Sequence, residues 1–334
     1  MRLLHITIFL ILSLSASLSF ADDKPVLTIY TYDSFTSEWG PGPKVKKAFE
    51  KDCNCELKFV ALEDGVSLLS RLKLEGKHSK ADIVLGLDTN LSADARATGL
   101  FKAHGIKLEE SSLPAKWTDE IFLPYDFGYF GFVYDKTKLQ NPPTSLKELV
   151  ENKDGPKILI QDPRTSTPGL GLLLWMKKVY GEKAEQAWQQ LAPRIVTVSK
   201  GWSEAYGLFL KDEAQMVLSY TTSPAYHIIA EKKDNFAAAK FEEGHYQQIE
   251  VAGILATSKQ QELVQQFLNF MLSENFQSII PANNWMFPAS LPPEKLPEAF
   301  QSLVDPSPVL LFDEAEVAKN RRVWVKEWLN ALSK

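Results

Sequence analysis

From Pro25 onward the chain alternates β-branched or aromatic runs with amphipathic ones, and it does so twice over. "PVLTIYTY" (Pro25–Tyr32) reads as a strand, "KVKKAFEKD" as a helix and "CELKFVAL" as a second strand. "EDGVSLLSRLKLEG" repeats apolar residues at Val66, Leu69 and Leu72 and closes on Gly76, as a capped helix does. "ADIVLGLD" is a third, buried strand. Such alternation buries the apolar faces of both element types in a parallel sheet with helices packed on it. After "IFLPYDFGYFGFVYDKTKL" the order restarts: "PPTSLKELV" is a helix, "PKILIQDP" a strand, and "TSTPGLGLLLWM" opens a helix. "AEQAWQQLA", "RIVTVSK", "WSEAYGLFLKDE" and "AQMVLSY" then read helix, strand, helix, strand.

The expected fold is therefore α/β, with two lobes joined near Pro124–Tyr134. Residues 22–126 form the first lobe and 127–248 the second; 249–334 return to the first and add C-terminal helices. "HYQQIEVAGILATS" is the extended segment that carries the chain back, ahead of two one-faced helices, "ELVQQFLNFML" and "VAKNRRVWVKEWLNAL". Two lobes with more than one crossing segment leave a cleft between them. Open sheets bind ligands at the carboxyl ends of their strands.

Residues 1–21, "MRLLHITIFLILSLSASLSFA", carry Arg2, an apolar run, and Ser19 and Ala21 at small-residue spacing. That is the pattern of a signal peptide cleaved after Ala21, which predicts export. A net charge of −5 argues against a nucleic-acid partner, whose phosphates need a basic face. Both cysteines, Cys53 and Cys55, fall in "CNC", and an oxidising compartment permits a disulfide between them or leaves a thiol pair. His78, His104, His227 and His245 have no metal-ligand spacing, and neither H-E-x-x-H nor G-x-S-x-G occurs. Neither a metal nor a cofactor is expected.

Four clusters carry the candidate chemistry. Ser166 and Thr167, before Pro168 and Gly169, stand at a helix start, where hydroxyls either cap the helix or join its N–H groups in holding an anion. Tyr220, Thr221, Thr222 and Ser223, before Pro224, repeat that arrangement after another strand. Together the two could hold a phosphate, although no Walker loop is present. Tyr32 and Trp39 are expected in the loop after the first strand, Trp202 follows Gly201 after the strand "RIVTVS", and Trp285 lies in the Pro-bounded turn "PANNWMFP"; flat rings there can stack on a ring or a cation. Trp175, Trp188, Trp324 and Trp328 fall on helices and read as packing. Asp64 and Gly65, in "EDG", either cap a helix or present a carboxylate to a cationic or amino-bearing ligand.

"VLTIYTYDSFTSEWGPGP", "LEDGVSLLSRL", "QDPRTSTPGLGLLLWM", "SKGWSEAYGLFL" and "LSYTTSPAYH" together resemble the periplasmic thiamine-binding proteins of bacterial ABC importers. The resemblance implies a two-lobed type II periplasmic-binding-protein fold that closes on its ligand by a hinge. It implies a monomeric carrier of thiamine, thiamine monophosphate or thiamine diphosphate, without catalytic activity, that is read by a membrane permease. The family's contacts fall on Asp64, Gly65, Ser166, Thr167, Trp202 and Tyr220 through Ser223, with Tyr32 and Trp285 as further ring contacts. Two other functions fit the same fold class: capture of ferric iron or an oxyanion, or thiamine degradation by a nucleophilic Cys53 or Cys55.

Overall fold

The computed structural model describes residues 24–108 and 111–333; the expected signal peptide lies outside them. Strands β1 (Val26–Tyr32), β2 (Glu56–Leu62) and β3 (Ile83–Asp88) are parallel, with β1 in the middle. Helices α1 (Asp33–Thr36), α2 (Gly42–Cys53), α3 (Gly65–Glu75) and α4 (Thr89–Arg96) connect or follow them. Strand β4 (Phe101–Lys102) is a short edge. The chain then leaves this half along β5 (Phe122–Asp135), a strand of 14 residues buried at nearly every position. A strand covered on both faces has no polar side, which is why its sequence is almost continuously apolar.

The second half contains α5 (Leu146–Glu151), β6 (Ile158–Gln161), α6 (Thr167–Tyr180), α7 (Ala184–Leu191), β7 (Ile195–Ser199), α8 (Trp202–Phe209), β8 (Met216–Tyr220), α9 (Pro224–Tyr226) and β9 (Phe236–Ala238). Strand β10 (His245–Leu255) brings the chain back, and α10 (Gln261–Leu272), α11 (Glu274–Gln277), β11 (Phe287–Pro288), β12 (Val309–Leu310) and α12 (Glu314–Leu332) follow.

The strand order is β2-β1-β3-β10-β5-β8-β6-β7. An all-parallel sheet is expected from the alternation alone, and here the structure differs. β10 runs antiparallel to both β3 and β5, and β5 runs antiparallel to β8. The reason is directional: one strand carries the chain out of the first half and the other carries it back, so neighbours in the middle must oppose. The flanking units remain parallel, β1 with β2 and β3, and β6 with β7 and β8.

The four helical tryptophans pack as expected. Trp175 is fully buried among Phe132, Phe241 and His245, and Trp188 meets Trp328 edge-on at 6.5 Å between ring centroids. Helix α6 reaches the sheet because Gly171 has no side chain: a Cβ there would lie 2.0 Å from the Phe130 ring. Cys53 and Cys55 are joined in a disulfide where α2 turns into β2.

Candidate functional site

The strands of both halves end on one cleft of about 230 Å³. Its walls are aromatic: Tyr32, Trp39, Trp202, Tyr206, Tyr220, Tyr226 and Trp285 all line it. Tyr32 is the last residue of β1 rather than part of the following loop, and Trp202 is the first residue of α8. Gly201 caps that helix in an extended conformation, so Trp202 leaves the helix start toward the cleft. Its ring stacks on Tyr206 at 4.9 Å and 25° and lies 6.0 Å from Trp39. The Trp202 Nε1–H donates to Ser219 Oγ at 2.7 Å, and Ser219 in turn pairs with Ser223. Behind Tyr206, His227 bonds the phenol at 2.9 Å and Glu231 at 2.9 Å. Rings held this way lose little freedom when a ligand stacks on them.

The floor is acidic. Asp64 caps α3, accepting from the Gly65 N–H at 2.9 Å, and its second oxygen accepts from Ser166 Oγ at 2.9 Å. Burial pushes the carboxyl up to about 7 against these bonds, which favour its charged form. Glu250, on the crossing strand β10, accepts from Tyr125 OH at 2.6 Å, Tyr32 OH at 2.9 Å and Gln248 Nε2 at 3.0 Å. Burial raises its pKa too, while those donors oppose the rise. Neither lysine nor arginine occurs among the described residues that line the cleft. A pocket of π faces over buried carboxylates, without a base, suits a flat organic cation.

Of the residues expected from sequence, Tyr32, Asp64, Trp202, Tyr220, Ser223 and Trp285 line the cleft. Gly65, Ser166, Thr167, Thr221 and Thr222 sit behind that surface and are buried. Ser166 caps α6 through the Gly169 N–H and at the same time binds Asp64 across the lobes. At Gly65 the halves approach closely, since a Cβ there would stand 2.4 Å from Thr167 Oγ1.

Sequence analysis missed Ser203, Tyr206, Tyr226, Glu250 and Asn284 as cleft residues. Glu250 had a legible signal, a lone acid inside the apolar end of a crossing strand, "IEVAGIL". Tyr206 and Tyr226 had none, because an aromatic on a helix reads as core.

Comparison with known proteins agrees with this architecture. A thiamine-binding periplasmic protein of Escherichia coli (strain K12) is 63% identical over 311 residues, covering 93% of this chain and 94% of the relative. A solved structure of a periplasmic thiamin binding protein superposes with a TM-score of 0.91 at 63% identity, covering 93% of this chain and 97% of the other. A ferric binding protein from Campylobacter jejuni matches with a TM-score of 0.75 at 18% identity, over 91% and 99% of the two chains, which is a likeness of fold. The bacterial extracellular solute-binding protein model covers residues 78–320. With that span matched and the lobes, crossing strands and cleft in place, the chain belongs to the bacterial extracellular solute-binding protein family.

Proposed function

We propose that this protein captures thiamine in the periplasm and delivers it to the permease of an ABC importer. The observation that carries this reading is the cleft itself, an aromatic box over Asp64 and Glu250 that no basic side chain neutralises. Thiamine brings a thiazolium cation and an aminopyrimidine, and each cation–π contact contributes about 0.5–2 kcal/mol. Asp64 accepts from the amine or offsets the ring's charge. Relatives that bear the name thiamine-binding periplasmic protein, at 63% identity over nearly the whole chain, support the same reading.

We extend the proposal to thiamine monophosphate and diphosphate. With neither lysine nor arginine among the described residues that line the cleft, their phosphates would be held by Ser223 at the surface and by hydroxyls and helix-start N–H groups just behind it, from Ser166 and Thr167 at α6 and from Thr221 and Thr222 before α9. Residues 22–126 and 249–334 then form one lobe and 127–248 the other, hinged on β5 and β10. The carrier works as a monomer, exported by a signal peptide in residues 1–21.

Calorimetric titration with thiamine, its two phosphates, ferric iron and sulfate tests these readings together. Saturation by thiamine is expected; no heat with any thiamine form would overturn the proposal. Ser166→Ala combined with Thr222→Ala is expected to weaken the phosphorylated forms more than free thiamine. Equal losses for all three would remove the phosphate assignment. Thiamine degradation is disfavoured because the disulfide occupies both sulfurs and Cys55 borders a different groove, beside Lys24 and Glu50. Iron capture is disfavoured because no group of three or more His, Cys, Asp or Glu side chains able to hold a metal ion gathers among the described residues.

A further inference from the structure

Three neighbouring strands place an acid in the same row. Glu250 of β10 stands opposite Asp88 of β3 on one side and opposite Asp126 of β5 on the other. All three are buried, Asp88 and Asp126 completely. Like charges directly opposite each other across strands are destabilising, and burial makes them more so. Sheets do not ordinarily contain such a row, so it calls for a compensating partner.

The protein supplies only part of the compensation. Asp126 Oδ2 accepts from Asn284 Nδ2 at 2.7 Å, but its Oδ1 is buried with no donor. Asp88 Oδ2 accepts from Asn90 Nδ2 at 2.8 Å, and its Oδ1 is likewise unpaired. Arg321 acts on Asp88 from behind but is already paired with Asp94. Around Glu250 stand Tyr32, Tyr125, Gln248, Asn284 and Asp126, with Asp64 and Tyr220 beyond; none is a base. Asp126 is fully buried, and burial beside Glu250, with which it shares a side-chain hydrogen bond, raises its pKa well above the usual carboxylate range. Glu250 collects the phenol donors and is the row's member that opens on the cleft.

We propose that the row Asp88–Glu250–Asp126 is the charge-selecting element of the cleft, with Glu250 the residue that meets the ligand's positive ring. This rests on the thiamine reading and adds to it: the aromatic walls recognise ring shape, and the row recognises charge. A neutral ligand of the same shape would leave the buried carboxylate uncompensated, which is costly.

The test uses thiamine and its thiophene isostere, a ring of nearly the same shape with no charge. Both are titrated into the wild-type chain, Glu250→Gln and Asp64→Asn. Wild type is expected to prefer thiamine by about tenfold or more, tenfold being about 1.4 kcal/mol. Glu250→Gln is expected to cut that preference to about threefold or less, with the loss falling on thiamine. Equal wild-type affinity for both ligands would overturn the inference, and this arm stands even if the variant fails to fold. So would an equal loss for both ligands in Glu250→Gln, or a preference that survives there and vanishes in Asp64→Asn. Failure of wild type to bind thiamine at all would overturn the functional proposal and take the inference with it; the other outcomes overturn the inference alone.

Discussion

Asp64 combines two positions that a sequence sets against each other, helix cap and cleft wall. It accepts the Gly65 N–H at the start of α3 and also lines the cleft. The cost appears in its pKa, which burial lifts to about 7 from an unfolded value near 4. The folded chain thus holds a proton that the unfolded chain releases first. Stability of the empty protein should fall as pH rises from about 4 to about 7 and then level off. Asp64→Asn removes this contribution. At pH 8 it should stabilise the empty protein by about 1–3 kcal/mol, and at pH 4 it should change little. Thermal melts at the two pH values check this, and a variant destabilised at both would show that the cap matters more than the charge. The same substitution should weaken thiamine, the usual exchange of stability for function. Trp202→Ala, by contrast, should weaken thiamine and, on the proposed reading, its phosphates by one common factor of about tenfold or more, since that reading has it stack on the ring they share. A phosphate-dependent loss in calorimetry would place Trp202 elsewhere.

At the scale of elements, the start of α6 shows how capping and binding coexist. Ser166 satisfies the Gly169 N–H as a cap and still donates its hydroxyl to Asp64. The hydroxyl and Pro pattern was legible because capping chemistry is local. Its cross-lobe partner was not, being 102 residues away in the chain. The glycines of α6 have a separate purpose. Gly171→Ala would drive a Cβ into the Phe130 ring, so it should destabilise the fold by about 1–3 kcal/mol, as overpacking does. Urea unfolding measures that directly. An unchanged midpoint would mean that α6 can shift away from β5 without cost. Strand β10 was legible as an extended segment and β5 only as the join between the two units, and the direction of neither in the sheet was legible, since alternation of apolar residues is the same for parallel and antiparallel neighbours.

For the molecule as a whole, closure is written in contacts between residues far apart in sequence. The Ser67 N–H donates to Thr165 O at 3.1 Å, Ser203 Oγ to Asp33 Oδ1 at 2.9 Å, and Ser166 to Asp64. At the back, α12 packs on α4 and α7 together, with Arg321 paired to Asp94 and Lys177 to Glu327. Helix α12 thus bridges both halves. A ligand held between lobes stabilises only the folded chain, so thiamine at a hundred times its dissociation constant should add about 2.7 kcal/mol. That is a rise of about 4 °C in Tm, and small-angle scattering should show no expansion on binding. A larger radius of gyration with thiamine would contradict binding by closure. The sequence alone determined the α/β class, the two units, the packing tryptophans and a minority of the residues that face the cleft, Tyr32, Asp64, Trp202, Tyr220, Ser223 and Trp285 among them, because periodicity, capping and aromatic placement act over a few residues. The tertiary structure decided the antiparallel centre of the sheet, the approach of Gly65 to Thr167 and the acid row of Asp88, Glu250 and Asp126. Those depend on which distant strands lie side by side, and pairing between distant strands leaves no local period to read.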